Sequence, residues 1–228
     1  MSKPMMLRIG ALGAVCGGAL IVVGNAIHPR ESGQLDNAEN FLEAAASSDL
    51  WVADHVVIGA GITLLLGAFY GLMQSINGRG APIARLGWGM AIIGVGLGIV
   101  FMLTEIVAVS ALADEWADSS GAAQDQAFAA GNAVFQMSLA LSAGAALFLF
   151  GLTPMLYGAA ILASDDFASW LGWTGVIVGA AGSVAGVVQL FTGITTVTGL
   201  ILIPLGIVVV VLWIIYLGIQ MWKKIGTT

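Results

Sequence analysis

"IARLGWGMAIIGVGLGIVFMLTEIVAVSAL" covers residues 83–112, and its reading decides the fold. From Leu86 onward the only ionisable side chain in it is Glu105. A helix needs roughly 20 apolar residues to cross a bilayer, and this stretch exceeds that. Five more windows read the same way: 7–27, 50–76, 128–163, 168–192 and 197–222. The chain is 59% hydrophobic and only 9% charged. A soluble domain carries roughly a quarter charged residues, so the solvent for this much apolar surface is lipid. The expectation is an all-α polytopic membrane protein with six transmembrane helices in one domain. No small-residue cleavage pattern follows the first window, which is therefore read as a retained helix.

Six helices put both termini on one side. That side receives Lys3, Arg8, Arg79, Arg85, Lys223 and Lys224, and the other receives only Arg30. Basic residues collect on the cytoplasmic side, so both termini are expected to be cytoplasmic. The acids divide the other way. Glu31, Asp36, Glu39, Glu43, Asp49, Asp54, Asp114, Glu115, Asp118 and Asp125 fall outside or at the outer edge. Such a face is solvated, and it also draws cations toward an outer opening. Within the first outer loop, Leu35, Phe41, Leu42, Ala45 and Ala46 share a helical face. A short surface helix capped by Asp36 or Asn37 is predicted there. The window at 128–163 is longer than a bilayer is thick, so it projects outward or bends near Pro154.

The odd-numbered spans open alike: "RIGALG", "RLGWGM" and "WLGWTG", anchored by Gly10, Gly87 and Gly172. Tyr70, Tyr157 and Tyr216 fall near the cytoplasmic ends of the even spans, where an interfacial aromatic belt is expected. The chain thus reads as three tandem helical hairpins, over residues 7–76, 83–163 and 168–222, with the glycine-rich odd helices in the centre. The single cysteine, Cys16, reads as a small buried hydrophobe.

The repeat gives Glu105 company. Eighteen residues after the three anchoring glycines come His28, Glu105 and Leu190, the last beside Gln189. The second span adds His55 in its outer half, and the fourth adds Asn132 and Gln136. Polar groups at membrane depth face the protein interior or a wet cavity. The candidate ligand-binding set is therefore His28, His55, Glu105, Gln136 and Gln189. Three bland readings stand beside it. Glu105 is a neutral buried carboxyl with one partner, His28 an interfacial residue held by Pro29, and His55 part of a helix-end pair with Asp54.

Two histidines exclude a three-histidine zinc site. His28, His55 and Glu105 remain a candidate metal set, and the two histidines a candidate axial pair for haem. No lysine lies inside a span, so a retinal Schiff base is excluded. The glycine runs have no strand before them, which rejects dinucleotide binding. Seven basic residues give nucleic acid no purchase.

"HPRESGQ" and "FLEAAASSDLWVADHVVIGAG" pair a His-Pro after the first helix with a Trp-x-x-x-His opening the second. With "ARLGWG" and "FASWLGWTGVIVGAAG", they resemble an uncharacterised group of prokaryotic multi-helix membrane proteins. The resemblance implies six helices and places His28 and His55 in the shared pattern; it implies no activity or cofactor. The first functional expectation is a transporter- or sensor-like protein with an outward-facing site for a cation or small ligand. An accessory or scaffold subunit of a larger membrane complex is the alternative. A metal- or haem-binding membrane protein is the third. Lipid is the expected surrounding, and the glycine faces leave homo-oligomers open. No catalytic motif is present, so a binding protein is expected ahead of an enzyme.

Overall fold

The computed structural model describes residues 2–29, 35–193 and 203–227, and among these there is no strand. In chain order the helices are α1 (Lys3–Ile27), α2 (Ala38–Ser47), α3 (Trp51–Ser75), α4 (Ala81–Leu103) and α5 (Ser110–Asp118). Then come α6 (Ala122–Leu147), α7 (Thr153–Leu162), α8 (Ser169–Thr192) and α9 (Ile203–Lys224). A π-helical segment, Thr104–Val109, joins α4 to α5, and another, Phe148–Leu152, joins α6 to α7. The protein is all-α, and six helices among the described residues are long and apolar enough to cross a membrane. They match the predicted spans in order. Arg30, Glu31 and the predicted start of the sixth span at Val197 lie outside the described residues.

The third and fourth spans, Gly78–Asp118 and Ala122–Leu162, each run for 41 residues. At about 1.5 Å per residue each is about 60 Å long, twice the hydrocarbon thickness. They pack against each other and turn back at Gly121, whose φ of +61° suits glycine. Length thus serves projection in both spans. The irregularity expected near Pro154 is also present. Proline has no N–H to give the carbonyl one turn back. The chain widens into the π segment just before it, and the Thr153 hydroxyl donates to Phe148 O at 2.7 Å.

Helix α2 forms where the loop pattern predicts, with the Asn37 side chain accepting from the Asn40 N–H at 2.9 Å. It does more than lie on a surface. Phe41, Leu42 and Ala45 are buried in a cluster with Trp51, Val109, Ala113 and Phe135. It is therefore packed between the N-terminal end of α3 and the projecting α5–α6 hairpin. The result is a roof over one end of the bundle. At the opposite end, the Asp166 carboxylate accepts from the Asn77 backbone and side-chain amides, at 2.6 and 3.0 Å. Lys224 donates to Asp166 O and lies 3.8 Å from the centre of the Phe167 ring.

Three expectations are corrected. The odd helices are not the central ones: 61% of the fourth span's apolar window is buried, against 28% for the fifth. Small residues make close pairs instead, α1 with α3 and α7 with α8, and each pair leaves one face outward. Tyr157 is no belt residue. It is fully buried, stacks on Phe69 and donates its hydroxyl to Phe69 O at 2.8 Å. Cys16 is exposed on the outer face of α1 rather than buried.

Candidate functional site

The site lies under the α2 roof, where α1 ends, α3 begins and the third span turns π-helical. His28 is the C-cap of α1. Trp51, Asp54 and His55 come from the first turns of α3, at one-turn spacing, so all three are buried on one face. Asp54 is wholly buried and His55 nearly so.

Asp54 lies against both imidazoles. His28 Nδ1 is 2.8 Å from Asp54 Oδ2. His55 Nδ1 is 2.5 Å from Asp54 Oδ1 and 2.6 Å from Trp51 O. A carbonyl can only accept, so His55 Nδ1 carries the hydrogen and donates it to Trp51 O. Asp54 Oδ1 then has no hydrogen-bond donor among the described residues. The nitrogen of His55 left to act is Nε2, which is 4.0 Å from Glu105 Oε2. Donors of His28, Asp54 and His55 all lie within 4.8 Å of one another. The two histidine rings meet edge to face at 5.0 Å, and Trp51 lies 4.7 Å from the His55 ring.

The π segment explains why the third span can present Glu105 here. π-helical turns carry an extra residue and leave backbone groups to find other partners; they are frequent at functional sites. The Trp51 indole N–H donates to Glu105 O at 3.0 Å, tying the segment to α3. Glu105 is buried, and its Oε1 has no hydrogen-bond partner among the described residues. Ser138 of α6 lines the same cavity, its hydroxyl beside the Glu105 carboxyl but beyond hydrogen-bond length. We expect Trp51→Phe to keep the packing but lose the hydrogen bond, destabilising the fold by about 1 kcal/mol. Reversible unfolding in detergent measures this; an unchanged stability would mean that the indole N–H does not anchor the segment.

Two adjoining cavities share His28, His55 and Ser142. The smaller, about 140 Å³, includes Glu105, Trp51, Phe41 and Ser138. The larger, about 210 Å³, runs down between the helices past Ile58, Phe101 and Phe150 and includes Gln189. Of the five predicted residues, His28, His55 and Glu105 line one cavity, and Gln189 lines the adjoining one. Gln136 is exposed, as is Asn132, and neither lines these cavities. Ser138 is the residue of α6 that faces inward, with Phe135 and Leu139 at helical spacing on the same side.

Asp54 was the residue missed. Its sequence position puts it among the acids of the outer face, whereas the roof takes it wholly out of solvent. The haem reading meets a geometric obstacle. An axial pair needs its rings on opposite faces of a macrocycle, while these two rings touch and both point Nδ1 at one carboxylate. Comparison with protein-family models, curated proteins and solved structures found no match.

Proposed function

We propose that the protein binds a divalent transition-metal cation at His28, His55 and Glu105, with Asp54 as the carboxylate behind the imidazoles, in the manner of a metal sensor or transporter of a prokaryotic cytoplasmic membrane. One observation carries the reading: two buried carboxylates, each with an oxygen lacking a hydrogen donor, converge on two imidazoles. Carboxylates taken out of water in this way are costly to charge without a counter-charge. A divalent ion supplies that counter-charge. Mixed imidazole and carboxylate donors suit a transition ion such as Zn²⁺ or Mn²⁺ better than Ca²⁺.

The geometry is compatible. The 4.0 Å between His55 Nε2 and Glu105 Oε2 is just under twice a metal–ligand bond of roughly 2.1 Å. An ion between them needs little movement of either. The hydrogen bond from His55 Nδ1 to Trp51 O, and that between His28 and Asp54, set ring orientation as the outer partners of metal-binding histidines do. The basic residues at the other end support cytoplasmic termini, with this site in the outward half. The His-Pro and Trp-x-x-x-His pairs that carry the family resemblance supply His28, Trp51 and His55.

The experiment is a titration of chelator-treated protein in detergent with Zn²⁺, and with Co²⁺ for its visible spectrum. We expect one equivalent to bind to the wild type. His55→Ala and Glu105→Gln should each weaken binding by about a hundredfold. A wild type that binds no stoichiometric metal, or folded variants that bind it equally well, would overturn the proposal.

A further inference from the structure

The larger cavity holds chemistry that a cation does not need. Gln189 of α8 is buried at 3% exposure and lines it. Its Nε2 donates to Ser142 Oγ at 2.6 Å and Leu139 O at 3.2 Å. Leu139 O can only accept, so turning the amide over would set two acceptors against each other. The amide orientation is therefore fixed, and Oε1 is a held acceptor. No donor among the described residues reaches it. A buried acceptor left bare in this way costs about 1–3 kcal/mol.

Away from Gln189, Ser142, Asn25 and the histidines the walls are hydrocarbon, with Ile21, Ile58, Ile62, Phe101, Met102 and Phe150. The volume is about 210 Å³. An apolar cavity of roughly 150 Å³ stays dry and takes benzene, so this one suits a body of about ten non-hydrogen atoms. Water would satisfy the amide but leave the hydrocarbon walls without contacts.

We propose that this cavity binds a small hydroxyl-headed amphiphile, a phenol or short alcohol, whose O–H donates to Gln189 Oε1 while its apolar body lies between Ile58, Phe101 and Phe150. The site stands apart from the cation reading, since neither Gln189 nor the hydrocarbon walls belong to the proposed metal set. His28 and His55 line the same cavity.

The test uses full-length, chelator-treated protein in nanodiscs and ¹⁹F NMR of 4-(trifluoromethyl)phenol, with its methyl ether as the comparison. For the wild type we expect a distinct, saturable bound resonance with the phenol, and roughly tenfold weaker binding of the ether, which lacks the donor. Gln189→Leu should bring the phenol down to the level of the ether. Ala146→Leu, which extends a side chain into the cavity without touching a polar group, should abolish the bound resonance. Equal binding of phenol and ether by the wild type would overturn the proposal, because the held acceptor would then recognise nothing. So would a resonance unchanged in a folded Ala146→Leu protein, which would place the probe in lipid. Absence of any saturable signal would do the same. Because metal is removed throughout, none of these outcomes bears on cation binding.

Discussion

Gly71→Leu is expected to prevent assembly of the bundle. A β-carbon built at Gly71 falls 2.4 Å from Gly10 Cα and 3.0 Å from Gly10 N. Both are backbone atoms of α1, which cannot rotate aside as a side chain can. The reciprocal contact is equally close, with a β-carbon on Gly10 falling 2.7 Å from Gly71 Cα. The two helices therefore touch backbone to backbone, and a Gly17–Gly61 contact repeats this further along. In lipid such contact is a main source of helix association, since burying a leucine gains little over leaving it in acyl chains. Overpacking a tight core costs about 1–3 kcal/mol, and more where only backbone can yield. A leucine here needs the whole α1–α3 pair to spread, and the cost is expected at or beyond the upper end of that range. The measurement is the monodisperse fraction and unfolding midpoint in detergent. Gly96→Leu is the control, because nothing lies within 4 Å of its β-carbon position. If the two substitutions behave alike, close glycine contact is not what joins α1 to α3.

The same pair shows what was legible in the sequence. Hydropathy marks the spans because each must satisfy its own backbone in lipid, a local requirement written into every window. Which helices touch is a long-range property. The glycine pattern marks small surfaces on the odd helices but does not name their neighbours. It also makes them look central, whereas α8 keeps Trp173, Ile177 and Val184 outward. The polar site divides in the same way. His28, His55, Glu105 and Gln189 are conspicuous as polar residues in apolar segments, and depth along the helix was enough to group them. Depth does not give rotation about the axis, so Gln136 joins the predicted set although Ser138 is the residue that faces the cavity. The π segment at Thr104–Val109 carries no proline or glycine to announce it. Nor does an acid at a span end reveal that α2 will fold over it.

Asp54 tests the site most severely, because it contacts both imidazoles. Removal by Asp54→Leu takes away the carboxylate that pairs with His28 and lies against the buried His55 ring. Breaking such a pair costs about 3–5 kcal/mol, so a large loss of stability is expected. Asp54→Asn is the more informative change because it keeps size and shape. An asparagine has one acceptor oxygen and one amide nitrogen, and neither placement serves both rings. With the nitrogen toward His28, the Nδ1 there must give up its hydrogen, and the proton moves to Nε2. With the nitrogen toward His55, it confronts an Nδ1 whose hydrogen is committed to Trp51 O at 2.6 Å. Either way one imidazole takes a tautomer or orientation unsuited to ligation. Metal affinity should then fall by about 10–100-fold while the helical content is kept. The readout is the Co²⁺ and Zn²⁺ titration with circular dichroism as the check on folding. If the folded asparagine variant binds metal as the wild type does, Asp54 does not orient the histidines. The cation would then have to be held by Glu105 and the imidazoles alone.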